Sequence, residues 1–122
     1  MHMKPYSRSD RVGGLIQQVL AQLLQKEIND PRLANTTITA VKMSRDLRIA
    51  KIYYAAEKDL EKQKAAQEGF ERARGYLKRE LAQRLELRYM PDLKFFYDDA
   101  IDRGARIEKL IKMVKENDRA AR

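Results

Sequence analysis

The sequence of 122 residues contains no cysteine, no tryptophan and a single histidine, His2. Without cysteine there is no disulfide framework, no thiolate zinc site and no thiol nucleophile. His2 stands in a Met-His-Met opening, and we expect it to carry no site. These absences remove most metal and acid–base chemistry, so the sequence predicts neither a metal site nor a cofactor.

Long apolar runs are also absent. No stretch approaches the roughly 20 apolar residues of a membrane span, and no apolar signal-type stretch precedes Val12. A chain of 122 residues with 43% hydrophobic residues can bury one core and is too short for two. We therefore expect one cytoplasmic domain over residues 4–116, with a disordered or non-native start at 1–3 and a disordered tail at 117–122.

The balance of charge is strongly positive. Lys and Arg number 26 against 18 Asp and Glu, which gives a formal net charge of +8 and a pI near 9.8. Such an excess on one small domain favours polyanionic partners, because bound phosphates release condensed counterions. Charge alone does not choose between DNA, RNA and anionic lipid, and a basic protein that is merely soluble remains open at this point.

The first helix is predicted over residues 9–28, where apolar side chains recur at the three-and-four spacing of one helix face. Ser9 or Asp10 is the expected N-cap. The run Asn29-Asp30-Pro31 ends the helix, because proline disfavours a helical residue before it and has no N–H to donate.

Three strands are predicted from β-branched and aromatic residues. The first two cover residues 36–43 and 47–56, and Ser44-Arg45-Asp46 between them suits the tight connection of an antiparallel hairpin. The third covers residues 93–97, which are rich in aromatics and place Leu93, Phe95 and Tyr97 on one face. A last amphipathic helix is predicted over residues 101–114.

Residues 59–88 return to helical spacing but contain Gly69 and Gly75. Glycine costs about 1 kcal/mol relative to alanine inside a helix, so Gly75 predicts a kink or a break into two helices. The order is then helix, two strands, kinked helix pair, strand, helix. This order predicts an α+β fold in which a three-stranded sheet has one face covered by helices.

Charge changes sign within the predicted helix pair. Residues 57–71 carry three basic residues against five acidic ones, whereas residues 72–88 carry six against two. A helix starting just after Gly75 would offer free N–H groups and a positive dipole end to a phosphate. Alternatively, Gly75 only permits close packing of the helix on the sheet. The candidate phosphate-binding residues are Arg72, Arg74, Gly75, Lys78 and Arg79.

Two further basic clusters lie at the hairpin and near the N-terminus. The hairpin cluster has a net charge of +3 from Lys42, Arg45, Arg48 and Lys51 against Asp46. An ordinary solvated turn whose charges protect a strand edge is the alternative. The candidate nucleic-acid-binding residues from the two clusters are Arg45, Arg48, Lys51, Arg8 and Arg11.

The segment from Asn29 to Leu33, followed by the segment from Thr37 to Tyr53, closely resembles the ribosome-binding factor A family of bacterial small-subunit assembly factors. The most specific part is the string Ser44-x-Asp46-Leu47 and the strand that follows it. The resemblance covers about residues 4–116 and includes Ala73-Arg74-Gly75, Leu85-Glu86-Leu87-Arg88-Tyr89-Met90-Pro91, Leu93-Lys94-Phe95 and Arg106-Ile107.

The resemblance implies a type II KH-like fold and a monomer that binds the small ribosomal subunit and its ribosomal RNA. It also implies a role in late subunit maturation, rRNA processing and adaptation to cold. Ordinary KH domains clamp single strands with a Gly-x-x-Gly loop, whereas the family has a shorter helix kink, here Ala73-Arg74-Gly75. That difference favours binding through phosphates and RNA shape.

Two other functions stay open on the residues alone. A general nucleoid or single-strand binder would need exposed stacking aromatics, and aromatic residues on a helix-covered sheet are more often part of the core. Catalysis would depend on Asp98, Asp99 and Asp102, but no nucleophile or phosphate loop accompanies them, and capping of the last helix explains the first two. We therefore expect no enzyme and no small-molecule substrate. The aromatic candidates are Tyr53, Tyr54, Phe95, Phe96 and Tyr97.

Overall fold

A computed structural model describes residues 7–120, without the side chains of residues 101–105 and 117–120. The predicted residues 1–3 lie outside the described residues. The elements in chain order are α1 (Arg8–Lys26), a 3-10 turn (Pro31–Leu33), β1 (Thr37–Met43), β2 (Ile49–Ala55), α2 (Leu60–Arg84), β3 (Asp92–Tyr97) and α3 (Ala100–Ala120).

Helix α1 begins with a capping box. Ser7 Oγ accepts a hydrogen bond from Asp10 N at 3.1 Å, and the Asp10 carboxylate accepts one from Ser7 N at 3.3 Å. The predicted cap at Ser9 or Asp10 is therefore wrong, because Asp10 closes the box from the third helical position. The helix ends before Asp30, whose carboxylate accepts from Arg32 N at 2.9 Å and caps the 3-10 turn.

The three strands form one mixed sheet in the order β1-β2-β3. Strands β1 and β2 pair antiparallel as the predicted hairpin, with an irregularity between Ile38 and Ala40. Strand β3 is parallel to β2, so the chain needs a crossover between them, and α2 supplies it. Since alternate residues of a strand point to opposite faces, this register decides which side chains enter the core.

The core lies between one face of the sheet and helices α1 and α2. Every second residue of β2 is buried, namely Ala50, Ile52 and Tyr54, and Leu93 and Phe95 of β3 lie beside them. The predicted two-layer α+β sandwich is confirmed. The buried helix residues are Val12, Ile16, Leu20 and Leu23 of α1 and Ala66, Phe70, Leu77 and Leu81 of α2.

One polar contact ties α2 to both parallel strands. Tyr54 OH donates to Gln67 Oε1 at 2.6 Å, and Gln67 Nε2 donates to the Phe95 carbonyl at 3.0 Å. Burial raises the pKa of Tyr54 to about 12, so the hydroxyl stays protonated and keeps donating even in alkaline solution near pH 10.

Helix α2 is hydrogen-bonded without interruption from Leu60 to Arg84, so the predicted break into two helices at Gly75 is wrong. Phe70 and Leu77 on either side of Gly75 are fully buried. Burying one such side chain is worth about 1.5–3 kcal/mol, which outweighs the cost of about 1 kcal/mol for one helical glycine. The helix also ends before its predicted boundary, because Leu85 is already extended, with φ −116° and ψ 131°.

The two glycines of α2 have different surroundings. A Cβ on Gly69 would lie 3.0 Å from Leu33 Cδ2, so Gly69 permits the close approach of the 3-10 turn. A Cβ on Gly75 would meet nothing within 4 Å. Close packing therefore does not explain Gly75, and that alternative is wrong.

Helix α3 extends to Ala120, further than the predicted last helix. The predicted tail at 117–122 is therefore helical as far as residue 120, and residues 121–122 lie outside the described residues. The apolar residues of α3 have helical spacing, but those between residues 106 and 116, where the side chains are described, do not enter the core. The exposed ones are Ile107, Leu110, Ile111, Met113 and Val114.

We predict opposite effects for alanine at the two glycines of α2. Gly69→Ala should lower the free energy of unfolding by about 1 kcal/mol, since overpacking costs about 1–3 kcal/mol and better helix propensity returns about 1. Gly75→Ala should raise it by up to about 1 kcal/mol. Urea unfolding followed by circular dichroism measures both, and a loss at Gly75 would show a structural role for that glycine.

Candidate nucleic-acid interface

The hairpin tip between β1 and β2 has an unusual backbone. Ser44 N donates to Ile49 O at 2.9 Å, and Leu47 N donates to Ser44 O at 3.0 Å. Leu47 has a φ of 61°, the only positive value among the non-glycine residues described. A positive φ at a leucine costs on the order of 1–2 kcal/mol. Packing of the Leu47 side chain against the core offsets that cost.

Side chains of Ser44 and Asp46 complete the turn. Ser44 Oγ donates to Asp46 Oδ1 at 2.6 Å and accepts from Ile49 N at 3.0 Å. Asp46 Oδ1 also accepts from Arg48 N at 3.1 Å. The hydrogen bonds from Ser44 and from this backbone N–H hold the pKa of Asp46 below its ordinary value. The residues of the Ser44-x-Asp46-Leu47 string therefore form the hydrogen bonds that hold the turn. The turn leaves the Arg45 and Arg48 side chains exposed.

A groove of about 610 Å³ lies between the hairpin tip, the first turn of α1 and the segment joining α2 to β3. Each of the three contributes one arginine, namely Arg8, Arg48 and Arg88. Asp92 N, at the start of β3, donates to Arg48 O at 2.8 Å, and this bond brings the connecting segment to the tip. We call this site, with its three arginines, the basic groove.

The basic groove also carries an exposed aromatic ring. Tyr89 is 75% exposed, and the Arg88 guanidinium carbon lies 5.6 Å from its ring centroid. Asp46 and Glu86 also line the groove, so the arginines outnumber the carboxylates by one. Guanidinium groups beside an exposed aromatic ring are suited to bind phosphates and to stack on bases.

The first turn of α1 offers exposed side chains but has lost part of its backbone donors. The capping box occupies Ser7 N and Asp10 N, so these two N–H groups are not available to an anion. Arg8 and Arg11 are both exposed. Of these two predicted residues, Arg8 lines the basic groove.

The structure removes one argument for the predicted phosphate-binding site around Gly75 of α2. No helix begins at Gly75, so the free N–H groups expected there do not exist. Arg74 is paired with Glu71, and Lys78 Nζ lies 3.0 Å from Asp92 Oδ1. These two cations are already partly neutralised within the protein.

The predicted residues of α2 differ in how accessible they are. Arg72 and Arg79 are exposed and form no ion pair with any residue the structure describes. Arg74 lies beside the core, with its guanidinium carbon 6.0 Å from the Phe95 ring centroid. Ala73 is partly buried and Gly75 is exposed. A binding role for this surface stays a prediction.

The structure does not bring all the sequence-predicted residues together. Arg8 and Arg48 meet at the basic groove, Arg11 and Arg45 are exposed but do not line it, and the other predicted residues except Lys51 lie on α2. Lys51 lies on the face of the sheet that points away from the core.

Sequence reasoning missed Arg88 and Tyr89. The helix predicted over residues 59–88 includes Arg88 among the charges of a helix face and gives Tyr89 no role. The usable signal was the basic–aromatic pair directly before Met90-Pro91, because proline marks a turn and turns place side chains at the surface.

Asp98, the first aspartate after β3, serves the fold. Asp98 Oδ2 accepts from Thr39 Oγ1 at 2.6 Å, and Asp98 Oδ1 accepts from Ala100 N at 3.0 Å at the start of α3. Among the described residues, no group of three or more acidic or histidine side chains could hold a metal ion. No helix in the described part of the chain is long and apolar enough to cross a membrane.

Comparison with known families supports the resemblance seen in the motifs. The family model described as ribosome-binding factor A matches residues 8–111, which include both strands of the hairpin, α2 and β3. The chain belongs to the ribosome-binding factor A family.

Its relatives are similar over most of their length. Ribosome-binding factor A of Desulfatibacillum aliphaticivorans is 51% identical over 112 residues, covering 92% of this chain and 91% of that protein. Ribosome-binding factor A of Methylobacillus flagellatus is 48% identical over 110 residues, covering 89% and 86%.

Solved structures of the family share the fold. The crystal structure of the Thermus thermophilus factor aligns with a TM-score of 0.67 at 27% identity, covering 75% of this chain and 97% of that one. A homology model of the Thermus factor, fitted into the cryo-EM map of a complex with the 30S subunit, aligns with a TM-score of 0.60 at 30% identity, covering 71% and 91%. The KH-like α+β fold expected from the resemblance is confirmed.

We predict that Asp46→Asn weakens the fold in a pH-dependent way. Because the folded pKa of Asp46 lies below the unfolded value of about 3.9, its stabilisation is present above that pH and is lost as pH falls through the lower folded pKa. The variant should be less stable than wild type at pH 7 and should lose less stability on acidification. Urea unfolding at several pH values measures this.

Glu86→Gln is the control for Asp46→Asn, since Glu86 is exposed and also lines the basic groove but is not part of the hairpin turn. Its unfolding midpoint should match wild type across the pH series. Identical profiles for wild type and Asp46→Asn would contradict the role given to the Asp46 carboxylate.

Proposed function

We propose that the chain is a non-catalytic RNA-binding factor that binds the small ribosomal subunit and its ribosomal RNA. In this proposal it assists late maturation of the subunit and processing of the rRNA. It acts in the cytoplasm, is monomeric when free and uses no cofactor, membrane or small-molecule substrate. The main support is membership of the ribosome-binding factor A family over residues 8–111.

The basic groove gives this proposal a physical mechanism. Arginine forms paired, charge-assisted hydrogen bonds with phosphate, and three arginines from separate elements can follow a bent backbone. Such contacts position a protein on RNA without reading sequence, which suits recognition of a folded RNA shape. Tyr89 adds a ring on which one unpaired base can stack.

The basic groove is a stronger candidate than the α2 surface. Arg8, Arg48 and Arg88 come together from three elements. Arg48 Nε lies 3.8 Å from Asp46 Oδ2 and its side chain is 84% exposed, whereas Arg74 and Lys78 are 41% and 34% exposed and pair more closely with Glu71 and Asp92. An exposed Gly75 with free space around it still allows close approach of an RNA backbone. We therefore rank the groove first and the α2 surface second.

Catalysis is not part of the proposal. Asp98, the carboxylate on which it would depend, accepts hydrogen bonds from Thr39 and from the backbone of Ala100. The general nucleoid binder is not favoured either, since the related Thermus factor is fitted on a ribosomal subunit.

We predict that replacing Arg8, Arg48 and Arg88 by glutamine lowers affinity for purified small subunits by about tenfold or more, because charge-assisted hydrogen bonds to phosphate are lost. The slope of log affinity against log salt should fall by roughly 2–3. Co-sedimentation with small subunits over a salt series measures both.

The matched control replaces Lys109, Lys112 and Lys115 of α3 by glutamine. This also removes three exposed positive charges, but none of them lines the basic groove. If both triple variants stay folded and lose the same affinity, binding is a diffuse electrostatic attraction. If bulk DNA competes as well as small subunits for the wild type, the proposed function itself is wrong.

A further inference from the structure

The sheet has a second face, and its residues are organised in rows. The helices cover the face that carries Ile52 and Phe95. On the opposite face, strand register places Lys42 beside Lys51 and Lys51 beside Lys94. All three lysines are exposed. We call these three residues the lysine row. The whole surface, which also carries Tyr53 and Phe96, is called the open face.

The aromatic row lies two residues further along the strands. Tyr53 pairs with Phe96 across the parallel strands, and their ring centroids are 5.7 Å apart. Phe96 is 40% exposed, and Tyr53 is partly exposed. The Lys42 ammonium lies 5.7 Å from the Tyr53 ring centroid, so the lysine row and the aromatic row are in direct contact.

The lysine row works against folding. Like charges directly opposite one another on neighbouring strands destabilise a sheet. None of the three lysines forms an ion pair with any residue that the structure describes. Lysines at sheet edges can prevent strand-to-strand aggregation, but Lys51 is on the central strand, where edge protection does not apply.

We infer that the open face binds a single-stranded stretch of RNA, with a base stacked on Phe96 and Tyr53 and phosphates bound by Lys42, Lys51 and Lys94. Neighbouring strands are about 4.8 Å apart, so the row presents three cations across the sheet. Exposed aromatics flanked by cations are the usual platform for unpaired bases. The inference rests on the proposed function, since it names a second surface for the same class of ligand.

Base stacking needs a free ring face. Phe96 offers one on the edge strand β3, where its neighbour Lys94 is exposed. At Tyr53 the ammonium of Lys42 lies over the ring in the free protein, and it would move to a phosphate when a base arrives. Asp92 lies at the start of β3, and its carboxylate is paired with Lys78, so it opposes the bound phosphates only weakly.

The test uses a short fluorescein-labelled oligouridylate and fluorescence anisotropy. Phe96→Leu keeps an apolar side chain but removes the ring, and affinity should fall by roughly 5-fold or more, the lower end of the stacking energy per base. Lys42→Gln, Lys51→Gln and Lys94→Gln together should lower the salt slope by about 2. The triple replacement Lys109→Gln, Lys112→Gln and Lys115→Gln on α3 is the matched control.

Folding provides an independent check. Removal of three opposed like charges should leave the unfolding midpoint of the sheet variant equal to or above that of wild type. A lower midpoint would mean that the lysines stabilise the fold and would overturn the inference. Equal oligouridylate affinity for wild type, Phe96→Leu and the sheet triple variant would also overturn it, as would equal affinity for a blunt RNA duplex.

The same variants separate this inference from the proposed function. If the open-face variants bind small subunits and oligouridylate as wild type does, only the open face is rejected. If wild type itself fails to sediment with small subunits, the proposed function fails, whatever the oligonucleotide shows.

Discussion

The parallel pairing of β2 with β3 is the constraint on which the rest of the structure depends. Parallel neighbours cannot be joined by a tight turn, so the chain must cross over, and α2 makes that crossover on one face of the sheet. The core forms under α1 and α2, and Tyr54 and Gln67 tie the crossover to both strands. The opposite face is left to polar and aromatic side chains.

Both candidate surfaces follow from this register. Pairing Ile49 with Asp92 brings the start of β3 to the hairpin tip, and the basic groove forms where the two meet the first turn of α1. The same register aligns Lys51 with Lys94, and Tyr53 with Phe96, on the open face. A slip of one residue would bury the lysines and expose the core, so the fold and the RNA-binding chemistry depend on the same pairing.

Sequence alone predicted the elements, because their hydrophobic periods are clear, but it could not predict the contacts between them. Gly75 shows the limit within a helix, since burial of Phe70 and Leu77 outweighs its local propensity. Arg88 and Tyr89 show the limit at the site, because their position depends on where α2 ends. Long-range pairing, such as that of β2 with β3, leaves no local signal in the residues.

Ultraviolet crosslinking on the purified small subunit tests the central claim most directly, which is that RNA meets the hairpin end and open face of the sheet. A photoreactive benzoylphenylalanine would replace Tyr89, Phe96 or, as a control, the exposed Gln18 on the outer side of α1. The account predicts crosslinks to ribosomal RNA from positions 89 and 96 and none from position 18. Crosslinks from position 18 alone would contradict it.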